Sequence, residues 1–160
     1  MDSPKNPKIT DEKLALKKAE HYCAYQERSQ QEVRDKLYDW GLHAAAVENI
    51  ISLLISDNFL NEERFAKAYA KGKFNQKGWG RIKIKQGLKF KKVPDVLIKK
   101  ALASIDGDEY LQTLHTLINK KAKLLNEKDP FKRRYKLQQY ALSRGYESDL
   151  IGDVLREGEF

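Results

Sequence analysis

One stripe of apolar side chains recurs along this sequence at a fixed offset, and a chain built that way must bury the same kind of surface three times. Val47, Ile50, Ile51 and Leu54 form the stripe; Ile98, Ala101, Leu102 and Ile105 repeat it 51 positions later, and Ile84 and Leu88 match Val33 and Leu37 at that same offset. Ile151, Val154 and Leu155 match Val47, Ile50 and Ile51 at an offset of 104, and Gly145 falls where Gly41 predicts a helix stop. Fixed-period self-similarity is the signature of a repeat architecture. The three-and-four spacing is helical, and strand-like alternation is nearly absent, so the fold class is all-α. A unit of about 50 residues is marginal alone, so three tandem three-helix repeats are expected to share their apolar seams. They would stack into an elongated, curved rod.

Capping signals place the helices. Thr10 or Asp11 opens a first helix that carries Leu14, Leu16 and Ala19 and runs to about Gln26. Ser29 to Glu32 reads SQQE, a capping box that starts a second helix, which buries Val33 and Leu37 and stops at Gly41. Val47 opens the third. Asn61, followed by Glu62 and Glu63, caps the leading helix of the second unit, which buries Phe65 and Tyr69. Its second helix starts near Gly80, and its tight turn lies at Lys92. Leu111, Leu114 and Ile118 belong to the third unit, where Asp129 caps a helix with Pro130 at its first position. The expected organisation is a flexible tail over 1–9 and repeats over 10–58, 59–106 and 107–160.

Charge is concentrated. Between Lys67 and Lys92 stand ten Lys or Arg residues and no carboxylate, so this stretch carries +10 while the whole chain carries +8. Such a field attracts polyanions or an acidic protein surface. The candidate contact residues are Lys71, Lys73, Lys77, Trp79, Arg81, Lys83, Lys85, Lys89, Lys91 and Lys92. Arg81, Lys85, Lys89 and Lys92 recur at helical spacing along one flank. Trp79, between two glycines, can stack on a base or pack under the preceding helix. Gly87 sits inside this helix at a cost of about 1 kcal/mol relative to alanine, either to permit a close approach or as drift on a surface. Lys132, Arg133, Arg134 and Lys136 form a secondary basic patch, tempered by Glu127 and Asp129.

Catalytic signatures are missing. GKFNQKGWG has glycines without phosphate-loop spacing and follows a helix instead of a strand. His21, His43 and His115 lie far apart and read as helix-surface residues, and Glu62 and Glu63 suit a helix start. Cys23 is the single cysteine, so no internal disulfide or thiolate cage is expected; a packed thiol is. The expectation is a non-enzyme with no cofactor and no metal. No apolar run approaches the roughly 18 residues of a membrane span, and the opening MDSPKNPKITDEK lacks a signal-peptide core, which points to the cytoplasm and to no membrane partner.

Three segments in register carry a resemblance: ERSQQEVRDKL from Glu27, NEERFAKAYAKGK from Asn61 and GWGRIKIKQGL from Gly78. Their order and spacing resemble the signature segments of the RecX family of regulators, most strongly from about Lys13 to Leu102. The resemblance implies tandem three-helix repeats and a regulator of recombination and DNA repair. It would bind the RecA recombinase or its nucleoprotein filament and limit the recombinase and co-protease activities. Some members also bind DNA. Arg28, Arg64, Phe65, Tyr69, Arg81 and Leu88 occupy signature positions, with Phe65, Tyr69 and Leu88 expected in the core. Gly87 stands where the resemblance would put an acidic residue. On this reading a monomer lies along the filament groove with its basic flank on acidic protein or on single- or double-stranded DNA. Two alternatives remain open on the residues alone: a free-standing helix-turn-helix DNA-binding module, and an adaptor for acidic partners.

Overall fold

A computed structural model describes residues 11–160 of the chain; the expected tail over 1–9, and Thr10, lie outside the described residues. Among the described residues the chain forms nine α-helices and no strand, as the periodicity predicts: α1 (Glu12–Tyr25), α2 (Gln30–Asp39), α3 (Ala44–Ser56), α4 (Glu62–Lys77), α5 (Arg81–Phe90), α6 (Asp95–Ala103), α7 (Gly107–Leu124), α8 (Pro130–Ser143) and α9 (Ser148–Glu157). They divide into two compact units, the first ending at Ala66 and taking in Lys91–Val93, the second comprising Lys67–Phe90 and Pro94–Phe160.

In the first unit α1 contributes only small buried side chains, Ala15, Ala19 and Cys23, which lets its backbone lie close against Val33 and Leu37 of α2 and Val47, Ile50, Ile51 and Leu54 of α3. Leu14 points outward, 51% exposed. Burying each large aliphatic side chain contributes roughly 1.5–3 kcal/mol, so α2 and α3 supply most of the apolar drive. Burial pushes the Cys23 thiol up to about 11, which leaves it a packed group and a poor nucleophile.

Side chains take up orphan amides at several helix starts. Asp11 accepts from Lys13 N–H at 2.9 Å, and Ser29 Oγ accepts from Glu32 N–H at 3.0 Å. The capping box is only half of the expected one. The Glu32 carboxylate takes the Ser29 hydroxyl at 3.3 Å and Lys91 at 3.2 Å instead of reaching back to the backbone. The neighbouring donor, Gln30 N–H, is taken by Glu62 at 3.0 Å, so this acid serves α2 as well as the start of its own helix. Burial raises the Glu62 carboxyl above its ordinary range.

Helix α3 starts three residues before Val47, because His43 Nδ1 accepts from Ala46 N–H at 3.3 Å and caps it. A histidine expected to be a bland surface residue is thus a helix cap. Gly41, at φ 98°, closes α2 with Leu42 N–H on Leu37 O at 3.3 Å and Gly41 N–H on Tyr38 O at 2.9 Å, the paired bonds of a Schellman stop. Lys92 is left-handed as well, at φ 60°.

The second unit pairs α5 with α6 and builds the three-helix set α7, α8 and α9. Ile84 and Leu88 of α5 and Ile98 and Ala101 of α6 are buried, as their repeat positions predict. Tyr110, Leu114, Ile118 and Ala122 form the buried face of α7, so the stripe runs through Tyr110, and the expected Leu111 is 42% exposed. Leu137 and Ala141 of α8 face Ile151, Val154 and Leu155 of α9 across the same core. Asp129 caps α8 through Lys132 N–H at 2.9 Å with Pro130 at its first position, as expected.

Candidate functional site

The basic segment acquires its geometry from the start of α5. An open helix N-terminus leaves amides that could cradle a phosphate. Here they are already used: Gly80 N–H donates to Arg144 O and Ile82 N–H to Gly145 O, both at 2.9 Å, and Arg81 N–H donates to the Tyr110 hydroxyl at 2.9 Å. The carbonyls at the α8–α9 turn therefore cap α5. The approach is so close that a Cβ on Gly80 would overlap the Gly145 carbonyl and Tyr146 N.

Two tyrosines hold this junction. Tyr110 is fully buried; its hydroxyl donates to Glu147, and its ring packs 5.8 Å from Phe74 and 5.0 Å from Tyr146. Burial, then the hydrogen bond to Glu147, raises the Tyr110 phenol far above its usual range. Tyr146 donates to Gly78 O at 2.9 Å, and burial pushes it up to about 12. Both phenols stay protonated and act as fixed donors. Arg144 donates to the Lys77 carbonyl, so the end of α4 is tied to the same turn.

The ten candidate residues separate by what they touch. Arg81 pairs with Glu147 at 2.8 Å and stacks its guanidinium 3.9 Å from the Tyr110 ring centroid, so it belongs to the junction and not to an open flank. Lys73 and Lys83 bracket Trp79, their ammonium groups 4.9 and 4.7 Å from its ring centroid. The indole is only partly buried, so it neither packs away nor stands free: it gathers two cations at the α4–α5 turn. Lys71, Lys77, Lys85 and Lys89 are exposed. In the first unit, Lys91 is held by Glu32 and Lys92 is exposed.

The secondary patch shrinks in the same way. Arg133 donates to the carbonyls of Ala122 at 2.6 Å, Glu127 at 3.1 Å and Leu125 at 3.2 Å, closing the end of α7 where carbonyls lack partners. Lys136 pairs with Glu127 at 3.0 Å, whose carboxyl it holds below the usual range, and Lys132 and Arg134 are exposed. Sequence reasoning missed Tyr110, Tyr146 and Glu147 altogether. The one signal near them was Gly145, flagged as a helix stop, and it is left-handed at φ 94°.

The three-helix modules have known counterparts. Models of the first, second and third three-helix domains of RecX match residues 15–54, 61–102 and 108–155 in that order. The chain belongs to the RecX family. The Regulatory protein RecX of Prosthecochloris aestuarii is 30% identical over 148 residues, covering 92% of this chain and 95% of that one. The Regulatory protein RecX of Clostridium perfringens is 32% identical over 131 residues, covering 81% of this chain and 61% of its own length, so this chain spans about three fifths of that relative. The crystal structure of RecX from Lactobacillus salivarius superposes with a TM-score of 0.85 at 26% identity, covering 91% of this chain and 95% of the other. The third RecX domain is matched even though the sequence resemblance was strongest before Leu102.

Several RecX signature positions turn out to hold the fold. Arg28 stacks 3.7 Å over Tyr22 and donates to its carbonyl at 3.0 Å. Arg64 pairs with Glu27 at 2.6 Å and donates to the Asn58 and Phe59 carbonyls at 3.2 and 3.3 Å, pinning a left-handed Asn58 turn. Phe65 and Leu88 are core residues, and Tyr69 is half-buried. Gly87 gives way to Tyr69, whose hydroxyl occupies the place a Cβ would take, so the close approach explains this glycine. Among the described residues no group of His, Cys, Asp or Glu is placed to hold a metal, and no helix is long and apolar enough to cross a membrane.

Proposed function

We propose that the chain binds the RecA recombinase or its DNA filament and limits its activities, without making or breaking a covalent bond. Membership of the RecX family supports the regulatory role, and the observation that carries the binding mode is the set of exposed lysines on α4 and α5, Lys71, Lys77, Lys85 and Lys89, with Lys73 and Lys83 gathered around Trp79. No carboxylate interrupts this stretch of sequence, and although Glu147 and Glu32 take up Arg81 and Lys91, the exposed lysines that remain suit acidic protein or phosphates. The protein acts as a cytoplasmic monomer, its repeats span 10–58, 59–106 and 107–160, and it needs no cofactor.

The test is RecA-driven strand exchange and ATP hydrolysis on single-stranded DNA, with the wild-type chain and with Lys83→Glu, Lys85→Glu and Lys89→Glu combined. The wild type slows both reactions; the reversed variant keeps its helical circular dichroism and loses most of that effect. Where those lysines meet phosphate, each removal reduces the slope of log affinity against log salt by about one. An unchanged effect of the variant at low salt refutes the assignment of the flank. A dimer that selects a duplex sequence without RecA points to the free-standing DNA-binding module instead.

A further inference from the structure

We propose that α8 carries a second binding site, a platform on which an extended single-stranded nucleic acid stacks successive bases on Phe131 and Tyr135. These rings stand 82% and 58% exposed, one turn apart, on a face of α8 turned about 120° from its buried residues Leu137 and Ala141. Tyr25 and Phe90 are exposed as well, but Phe131 and Tyr135 stand one turn apart on a single helix, where two rings can act together.

Charge and spacing identify the occupant. All charged residues of α8 are cations: Lys132, Arg133, Arg134 and Lys136. Arg133 is committed to carbonyls and Lys136 to Glu127, which leaves Lys132 and Arg134 exposed. At 3.6 residues per turn these two lie about 80° to either side of the aromatic stripe, so a chain crossing the rings meets a cation on each flank. Residues four apart rise about 6 Å along a helix, whereas bases stacked in a duplex strand repeat at about 3.4 Å. Bases seated on both rings are therefore pulled apart, which a single strand allows and a duplex does not. Gln139, exposed one turn beyond Tyr135, adds an amide that can donate to and accept from base edges. A lipid surface would need that face to stay apolar along its length, and here it turns to glutamine. The site requires no recombinase and does not rest on the filament reading.

The experiment measures fluorescence anisotropy of labelled oligothymidylate, oligouridylate and a duplex of equal length, titrated with the full chain in the absence of RecA. Phe131→Ala with Tyr135→Ala weakens single-strand binding by about tenfold per ring, leaves duplex binding and the salt slope unchanged, and retains helical circular dichroism because both rings are exposed. Phe131→Trp with Tyr135→Trp preserves single-strand affinity. Lys132→Glu with Arg134→Glu lowers the salt slope by about two instead. Equal affinity for the thymidine and uridine oligomers supports the shared stacking chemistry, and a preference for one supports it while reporting the sugar and the base 5-methyl group together. The proposal is overturned if the double alanine variant binds single strands as the wild type does. It is equally overturned if duplex affinity falls in parallel, or if the chain binds anionic phosphatidylglycerol vesicles through these rings and leaves the oligomers unbound.

Discussion

Replacing Gly80 by alanine adds one methyl group to the solvent-inaccessible start of α5, and the structure leaves no place for it. The new Cβ would meet the Gly145 carbonyl and Tyr146 N, both backbone atoms, so no side-chain rotation relieves the overlap. Relief requires drawing α5 away from the α8–α9 turn. That separation weakens Gly80 N–H to Arg144 O and Ile82 N–H to Gly145 O, both 2.9 Å, and the bond from Arg81 N–H to Tyr110 at 2.9 Å. A hydrogen bond contributes about 1 kcal/mol net, and more when a buried partner is orphaned. Three loosened bonds amount to about 3 kcal/mol. Alanine returns about 0.4–1 kcal/mol by narrowing the unfolded ensemble. The expected net loss is about 2–3 kcal/mol, or a fall in Tm of roughly 4–12 °C for a chain of this size. Urea unfolding followed by circular dichroism and by tryptophan fluorescence measures it, the second probe, with Trp40→Phe as background, reporting on Trp79 beside the substitution. A variant as stable as the wild type, or more so, would show that the α5 start tolerates displacement and that the junction is not what fixes the lysine flank.

Two further outcomes follow from the same junction. Tyr110→Phe removes a hydroxyl that serves both Arg81 N–H and Glu147, and should cost about 1–3 kcal/mol in urea unfolding; in a double-mutant cycle with Glu147→Gln the two losses should be less than additive, and full additivity would deny the contact. High pH should also act here. Tyr146 is pushed up to about 12, and Tyr110 is raised as well, while an unfolded tyrosine ionises near about 10. The folded state therefore holds protons that the unfolded chain releases. Its advantage is complete below about pH 10 and drains away as pH rises from there towards 12. Tyrosinate absorbance should show a late step coincident with loss of helix; ionisation of all tyrosines in one step, with helix intact, would contradict the burial of Tyr110 and Tyr146.

What the sequence reveals here is local, and what it hides is distant. Gly41, Gly145 and the caps at Asp11, Ser29, Asn61 and Asp129 act within a few residues of themselves, and the stripe through Val47, Ile50, Ile51 and Leu54 is a property of one helix. Each was legible because the physics that demands it spans one turn. His43 escaped because histidine is an uncommon cap, and Tyr110 because its neighbour Leu111 looks like the better core residue until the hydroxyl finds Glu147, 37 positions away. Charge is the least legible quantity of all: a run of lysines and arginines gives the sign of a field without saying which cations remain free to make it. Arg81 and Arg133 look equivalent to Lys85 and Lys132 in the sequence, yet the fold spends the guanidiniums on Glu147 and on the carbonyls at the end of α7. Planar, multiply donating arginine suits such closed sites, while a single ammonium on a flexible stem suits a solvated surface. The division has an experimental consequence. Reversing Arg81 or Arg133 would disturb the junction or the α7 terminus and mimic a binding defect by unfolding, whereas reversing Lys85 and Lys89 changes the field alone, so only the lysines can separate what the fold needs from what a partner reads.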